Sequence, residues 1–259
     1  MIKFFRHIRK RLVSENKFGN YFIYAIGEIV LVVIGILIAL SINNWNERRK
    51  NNETEKQILI GLGEEFKASL TELKRITELN KNARNATVHL IKNLRSKNPF
   101  ENEHKTDSLL VEIYMFYTFT AESGLLDETI SAGKLSFIRN KKLQGMLASW
   151  KGKLTNSEED YQFRATHYNE LLLPFLQKNL RLSNGDSYMN LNGSVENYHM
   201  VKLDSSPFTP NYESINLIEF ENLLWQHKTD NEFIIMLETE LQKSTEKITN
   251  MIEDELNLK

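Results

Sequence analysis

Residues 21–42 form one uninterrupted apolar run, YFIYAIGEIVLVVIGILIALSI, which contains a single charged residue, Glu28. As a helix the run would be about 33 Å long, enough to cross the hydrocarbon core of a bilayer. A helix satisfies its own backbone hydrogen bonds, so an isolated apolar segment can cross lipid in that form. No second run of this length occurs in the chain. We therefore predict one transmembrane helix at 21–42, an interfacial stalk at 43–58 and a separate domain at 59–259.

The basic residues on either side of the run predict its orientation. Six lysine and arginine residues precede the run, and four follow it within residues 43–60. Basic residues beside a membrane span are retained in the cytoplasm. We therefore predict an inner (cytoplasmic) membrane location, with a cytoplasmic N-terminus and a periplasmic C-terminal domain. Residues 1–20 combine apolar side chains at helical spacing with basic ones, which indicates an amphipathic segment on the anionic leaflet.

The alternative is a secretory signal peptide, cleaved near Ala39-Leu40-Ser41. The apolar run is longer than the roughly 7–15 residues of the corresponding region in a signal peptide. An acidic residue inside the run is also unusual for a cleaved signal. Both observations favour a retained membrane helix.

Glu28 indicates a contact surface within the membrane. A carboxylate in hydrocarbon is costly and usually faces another protein. Gly35 and Ala39 follow at offsets of seven and eleven residues, which return to the same helix face, and small residues let two helices approach closely. We predict a helix–helix interface formed by Glu28, Gly35 and Ala39, with a second copy of the chain or with a partner membrane protein. The alternative is that Glu28 only reaches toward the nearby headgroups.

The remainder of the chain excludes several kinds of site. There is no cysteine in the sequence, so disulfides, thiolate metal sites and cysteine nucleophiles are excluded. The formal net charge is −1, and after Asn46 there are 27 basic and 32 acidic residues. A nucleic-acid surface needs a basic stripe. We therefore expect no nucleic-acid partner.

The periodicity after residue 58 predicts an all-α fold. A seam with a 3.5-residue repeat, typical of coiled coils, runs through Leu59, Leu62, Phe66, Ser69, Leu73, Ile76, Asn80, Ala83, Thr87, Leu90 and Leu94. Asn80 inside this seam is interpreted as fixing helix register, and the alternative is a polar layer that binds a ligand. Near the start of the seam, Gly61 and Gly63 suggest a soft joint because glycine weakens a helix.

Further helices are predicted at 106–120, 125–132, 141–182, 213–227 and 230–257. The second is closed by Gly133, and Pro174 should kink or break the third. Thr229-x-x-Glu232 is a capping box for the last. We expect the first and last long helices to pack antiparallel, with the 141–182 helix as a third member, in an elongated bundle on a membrane stalk.

Residues 183–211 break the helical pattern and form a long irregular loop. Asn192-Gly193 within it is a hairpin turn signal. Loops of this length tend to be binding segments, lids or disordered. We therefore predict that the loop holds a partner or ligand region, with the candidate contacts Tyr188, Met189, Tyr198, His199 and Phe208.

No motif for chemistry rises above background. Ser131-x-x-Lys134 matches the S-x-x-K of serine acyl-transfer enzymes, but the companion elements are missing. The pairs His167/Glu170 and His227/Asp230 share helix faces, yet their order is the reverse of the Glu-x-x-His pairs in bundle metal sites. The helical pair around 125–140 lacks the basic footprint of a DNA-binding motif. We therefore predict no catalytic residues, no metal site and no cofactor.

Three segments carry a family resemblance: MIKFFRHIRKRLVSENKFGNY at 1–21, YAIGEIVLVVIGILIALSINNWNE at 24–47, and LDETISAGKL at 126–135 followed by IRN at 138–140. In these segments the chain resembles a family of single-pass membrane proteins of bacteroidete bacteria that is known only as a domain of unknown function. The resemblance covers about a quarter of the chain. It implies a Gram-negative membrane location and a helical outer domain, and it implies no activity.

Three functional hypotheses remain. The first is a non-enzymatic inner-membrane scaffold or sensory subunit that acts through helix–helix contacts. The second is a small-molecule-binding input domain, with a ligand near the aromatic residues of 113–120 or under the 183–211 loop. The third is an unrecognised hydrolase, which would need a catalytic constellation around Ser131 and Lys134.

Overall fold

The computed structural model describes residues 18–115, 117–189 and 198–257. Within these ranges there are six α-helices: α1 (Phe18–Leu94), α2 (Glu103–Tyr114), α3 (Gly124–Ser131), α4 (Lys141–His167), α5 (Leu173–Asn179) and α6 (Leu217–Asn257). A π-helical turn, Tyr168–Leu172, joins α4 to α5, and 3₁₀ turns occur at Lys134–Phe137, Leu182–Ser187 and Tyr212–Ser214. The described residues contain no strand, so the predicted all-α fold is confirmed.

The chain divides into two compact units, with the boundary between Gln57 and Ile58. In the first unit the described residues belong to α1, and this helix is long and apolar enough to cross a membrane. Its large apolar side chains from Phe22 to Ile42 are exposed, as expected for a surface that lipid would cover. The predicted amphipathic segment lies largely outside the described residues, which begin at residue 18.

The second unit, from Ile58 onward, is built around three long helices. Three ion pairs connect α1 to α6: Lys67 to Glu253, Lys74 to Glu246, and Arg84 to Glu232. As the residue number rises along α1, that of its partner on α6 falls. The two helices are therefore antiparallel, as predicted. Bonds between α4 and α6 follow the same rule, from Trp150–Thr245 to His167–Asp230. Consequently α1 and α4 run in the same direction and α6 runs against both.

The seam on α1 confirms the predicted buried face. All eleven of its residues from Leu59 to Leu94 are buried. They contribute to three apolar clusters along the domain. The proximal cluster is centred on Phe66 and Trp150, the middle cluster on Leu73 and Ile234, and the distal cluster on Leu90 and Phe220.

The last two predicted helices are one helix, so the capping box at Thr229 was wrong. Helix α6 runs without a break from Leu217 to Asn257. Asp230, which resembles a capping residue in sequence, bonds instead to Gln226 and to His167 of α4. The side chain of Asn231 donates to the backbone carbonyl of His227 one turn earlier. These side chains bond within α6 or to α4, and the helix continues through them.

The predicted helix at 106–120 also differs in the structure. Helix α2 ends at Tyr114, and the chain from residue 117 to residue 123 carries no regular structure. Aromatic residues with modest helix propensity lie there, and tertiary contacts override propensity. Phe119 packs into the middle cluster, and the carbonyl of Tyr117 accepts a hydrogen bond from Arg164. The predicted 106–120 helix is therefore correct only in its first part.

The glycines near residue 60 serve close packing within an unbroken helix. Helix α1 continues through Gly61 and Gly63, where a soft joint was expected. A Cβ at Gly61 would lie 2.4 Å from Cδ2 of Leu125, and one at Gly63 would lie 3.3 Å from Cγ2 of Ile252. The small residues let α3 and α6 approach α1.

Pro174 interrupts the regular helix, as predicted. The π-helical turn Tyr168–Leu172 directly precedes α5, and Pro174 lies in the first turn of that helix. Proline lacks an N–H and its ring crowds the carbonyl four residues earlier, so a wider turn accommodates it. The predicted hairpin turn at Asn192-Gly193 lies outside the described residues.

Candidate functional site

A cavity lies among the described residues at the distal end of the domain. It has a volume of about 490 Å³ and lies between α2, the end of α5 and the chain from residue 180 to residue 189. Most of its lining is apolar, formed by Leu110, Val111, Tyr114, Leu180, Leu182 and Met189. Its polar lining residues are Asp107, Gln177, Arg181 and Asp186. An apolar pocket of this size with a few polar groups is the usual form of a small-molecule site.

Hydrogen bonds between the surrounding elements fix the polar end of the cavity. Asn184 donates through Nδ2 to Oδ2 of Asp107 at 2.9 Å, and its Oδ1 accepts from the backbone N–H of Ser206 at 3.0 Å. Arg181 donates to Oε2 of Glu103 at 2.5 Å. The same bond lowers the pKa of the Glu103 carboxyl. These contacts tie α2 to the segments that follow α5.

A close backbone approach helps to form this wall of the cavity. A Cβ at Gly185 would lie 3.0 Å from Cγ2 of Val111. The 3₁₀ turn that contains Gly185 therefore lies tightly against α2. A larger residue at this position would push the turn outward.

A second polar group of residues lies inside the bundle, beside the middle apolar cluster, to which Tyr161 also belongs. We call Asn80, Tyr161, Arg164, Asn231 and Glu238 the polar layer, and each of them is at most 5% exposed. Arg164 donates to Oδ1 of Asn80 at 2.9 Å, to Oδ1 of Asn231 at 3.0 Å and to the carbonyl of Tyr117 at 2.6 Å. The polar layer therefore joins α1, α4 and α6.

Glu238 is the acidic member of the polar layer. Its Oε1 accepts hydrogen bonds from Tyr161 and from Asn80, each at 2.7 Å. Its Oε2 is buried and has no hydrogen-bond partner among the described residues. Burial raises the pKa of Glu238, although the hydrogen bonds and the nearby charge of Arg164 act in the opposite direction. Burial also raises the pKa of Tyr161.

Two histidines lie next to the polar layer. His227 is 5% exposed, and burial together with the charge of Arg164 lowers its pKa to about 3. Its ring is therefore neutral, and its Nε2 accepts from Nδ2 of Asn231 at 3.2 Å. His167 lies with its Nδ1 3.0 Å from Oδ2 of Asp230. The described residues contain no group of three His, Asp or Glu side chains able to hold a metal ion.

The polar layer fits a structural role better than a binding role. A shallow groove of about 270 Å³ between α4 and α6 reaches Arg164 and Asp230. The guanidinium of Arg164 is directed at side chains of the bundle and at a backbone carbonyl. Asn80, interpreted from the sequence as a residue that fixes register, here contacts both charged members of the polar layer. That interpretation remains a prediction.

Of the loop residues singled out from the sequence, Met189 lines the cavity and the others do not. The hydroxyl of Tyr188 lies 2.9 Å from Nδ1 of His104. Tyr198 and His199 are exposed. Phe208 is 78% exposed, and its carbonyl accepts from Arg181. Their predicted role in binding is not tested by this geometry.

Sequence reasoning missed the charged residues of both sites, although signals for some of them were present. Arg164 falls between Tyr161 and Tyr168 on the apolar stripe of α4, and Glu238 falls between Ile234 and Leu241 on that of α6. A charge on a buried stripe needs a partner. No comparable signal identified Asp107, because its neighbours on α2 are of mixed polarity.

The membrane-face residues Glu28, Gly35 and Ala39 are placed on one stretch of α1. Gly35 and Ala39 are exposed, and a Cβ at Gly35 would meet nothing within 4 Å. At 3.6 residues per turn, both lie within about 20° of Glu28 around the helix. The space beside Gly35 is therefore open in the isolated chain.

The S-x-x-K pair forms local contacts only. The hydroxyl of Ser131 donates to the backbone carbonyls of Asp127 and Glu128. Lys134 pairs with the carboxylate of Glu128 at 2.6 Å. The geometry therefore does not place a base against the Ser131 hydroxyl.

The segment 126–140, one of the three that carry the family resemblance, has clear structural roles. Gly133 follows α3 with φ of 68°, the left-handed conformation that favours glycine and closes a helix. Asn140 caps α4 by accepting from the N–H groups of Lys142 and Leu143. Leu126 and Ile138 are fully buried.

None of the curated proteins and none of the solved structures matches this chain. One family model does, and it covers residues 28–223, from Glu28 in the apolar run to the beginning of α6. No function is known for that family, in agreement with the resemblance seen in the sequence. The chain therefore belongs to the family of unknown function DUF6090.

Proposed function

We propose that this protein is a membrane-anchored sensory subunit whose helical domain binds a small molecule in the cavity beside α2. The observation that carries the proposal is the cavity of about 490 Å³. Its volume falls within the range of about 300–1,000 Å³ that is usual for ligand sites. The proposal assigns no catalytic step.

The topology predicted from the flanking charges determines the compartment in which this domain would lie. With the N-terminus in the cytoplasm, the domain would lie in the periplasm. We propose that a bound state is communicated through a partner membrane protein, at the helix face that carries Glu28, Gly35 and Ala39.

Ligand screening on the full chain in lipid nanodiscs tests the binding function. A ligand at 100 times its Kd should stabilise the folded domain by about 2.7 kcal/mol. We expect at least one compound of a metabolite panel to raise the unfolding temperature. Gln177, which lines the cavity and is exposed, provides the blocking variant Gln177→Trp. Lys178→Trp is the matched control, since Lys178 is exposed and lies outside the lining.

Two results would contradict the binding function. The first is the absence of reproducible stabilisation by any compound. The second is stabilisation that Gln177→Trp leaves unchanged. Protease accessibility of a C-terminal tag in spheroplasts tests the topology separately: a tag that survives until the membrane is lysed would place the domain in the cytoplasm.

The membrane face supports a second candidate function, that of a scaffold which assembles through its transmembrane helix. Glu28, Gly35 and Ala39 lie on one helix face. The space beside Gly35 is open in the isolated chain. In a scaffold the helical domain would bind a protein partner instead of a small molecule. Cross-linking in the membrane, described below, tests this candidate.

A further inference from the structure

The charges around the distal cavity indicate which kind of ligand it would hold. Three charged residues line it: Asp107, Arg181 and Asp186. A ligand with an anionic group would need donors from Arg181, whereas a cationic ligand would need acceptors from the two aspartates. The bonds that these side chains already make decide between the two.

The charge of Arg181 is already paired with a carboxylate. Its two terminal nitrogens donate to Oε2 of Glu103 at 2.5 Å and to the carbonyl of Phe208 at 3.2 Å. Its Nε is buried and has no hydrogen-bond partner among the described residues. An anionic ligand would have to compete with the carboxylate of Glu103 for this charge.

The aspartates, by contrast, each have one oxygen available. Asp107 is only 7% exposed, and its single bond from a described residue is the one that Asn184 donates to Oδ2. Oδ2 of Asp186 accepts from the backbone N–H of Leu203 at 3.0 Å, and no other described residue bonds to that carboxylate. With Glu103 neutralising Arg181, the lining keeps an excess of negative charge. A buried carboxylate is stabilised by a partner of opposite charge.

The remaining walls suit an apolar or aromatic body. Leu110, Val111, Leu180 and Leu182 provide aliphatic surface, and the ring of Tyr114 is 47% exposed. An aromatic ring attracts a cation at close range by about 0.5–2 kcal/mol. Negative charge at one end and apolar surface elsewhere match a molecule with a cationic head and an apolar body.

We propose that the cavity binds an organic ammonium compound, with its ammonium group at Asp107 and Asp186 and its apolar part against α2 and Leu182. This inference rests on the proposed ligand-binding function and makes it more specific. It identifies Asp107 as the main determinant of ligand charge, because it is the more deeply buried carboxylate of the two.

Three phenylalkyl probes of the same chain length, which differ in charge, test the charge preference: 3-phenylpropan-1-amine, 3-phenylpropanoate and 3-phenylpropan-1-ol. Binding is measured by isothermal titration calorimetry on the full chain in nanodiscs of uncharged lipid. We expect the amine to bind at least tenfold more tightly than the other two. Asp107→Asn should weaken amine binding at least tenfold, because it removes the charge but keeps an oxygen that can accept from Asn184.

Glu112→Gln is the matched control, since Glu112 is exposed on the same helix and does not line the cavity. It should leave amine binding unchanged. Asp186→Asn is a second test. Asp186 is half-buried, so we expect its replacement to leave the packing of the core unchanged. Circular dichroism and the unfolding temperature of each variant report whether it is folded.

The outcomes separate this inference from the function on which it rests. Binding of the acid or the alcohol as tight as that of the amine, and blocked by Gln177→Trp, would overturn the ammonium proposal and leave a ligand-binding cavity. Amine binding that neither aspartate variant weakens would also overturn it. If none of the three probes binds while another compound of the panel does, the charge assignment is wrong. If nothing binds, the proposed function itself fails.

Discussion

His227 shows at the level of one residue how burial links this domain to pH. Its pKa in the folded state is about 3, whereas the ordinary value is 6.5. Because the folded pKa is depressed, the neutral ring contributes stability above pH 6.5 that is lost as the pH falls toward 3. We expect His227→Gln to remove about 2 kcal/mol of the stability change between pH 7 and pH 5.

Urea unfolding of the full chain in detergent, followed by circular dichroism at the two pH values, measures this change. Exposed His89 and its variant His89→Gln are the control. An unchanged pH dependence in His227→Gln would show that the ring is protonated in the folded state.

Glu238 gives a pH effect of the opposite sign. Burial raises its folded pKa, so its contribution is fully present below the unfolded pKa of 4.5 and is lost as the pH rises through the folded pKa. Replacing Glu238 with glutamine keeps an acceptor for Tyr161 and Asn80. We expect this variant to lose less stability than the original chain between pH 5 and pH 8, in the same unfolding assay. A steeper loss in the variant would mean that Arg164 holds the carboxylate ionised.

The residue level also marks the limit of prediction from the sequence. Apolar periodicity identified the buried leucines and isoleucines of the seam on α1, from Leu59 to Leu94, since each position follows from helix geometry alone. The partners of Arg164 and Glu238 did not follow, because Asn80 lies 84 residues from Arg164 and 158 from Glu238. Such pairs depend on how the helices pack. The candidate site was located only as a region, beneath the loop that begins near residue 183.

Within the helices, the space around each glycine predicts whether alanine at that position stabilises the domain. Gly145 in α4 has open space where a Cβ would be, whereas Gly61 in α1 has Leu125 at 2.4 Å. Alanine in a helix interior is favoured over glycine by about 0.5–1 kcal/mol. We expect Gly145→Ala to stabilise the domain by that amount and Gly61→Ala to fall short of it, because Leu125 must move.

Thermal unfolding of the two variants, with Gly152→Ala as a second open position, compares the effects directly. Equal gains at Gly61 and Gly145 would mean that the side chain of Leu125 rotates away at no cost. In that case the interpretation of Gly61 as a close-packing residue would be wrong.

Element boundaries were predicted well where backbone chemistry determines them and poorly where packing does. Gly133 and Pro174 interrupt helices for local reasons, a left-handed conformation and a missing N–H, and both were identified. The break expected at Thr229 does not exist, because α4 supplies a partner for Asp230. The end of α2 at Tyr114 likewise depends on contacts that Phe119 makes elsewhere in the domain.

At the level of the whole molecule, the membrane face predicts association. We expect Glu28→Gln combined with Gly35→Ile to reduce the yield of cross-linked species in native membranes, because the pair removes the polar contact and the close approach. Gly27→Ile is the matched control: it adds the same bulk about 100° away on the helix. Cross-linked species that persist in the double variant, or an equal loss in the control, would contradict an interface at this face.

The division of the core into three apolar clusters has a consequence for local unfolding of the domain. The distal cluster, which includes Leu110 and Leu180 of the cavity wall, is separate from the other two clusters. Cooperative units of a protein often open with separate free energies. We expect amide hydrogens of α2 and α5 to exchange through a partial opening that leaves the bonds around Trp150 protected. Hydrogen exchange would then show two rates within one domain, and a ligand that closes the cavity would slow only the faster one.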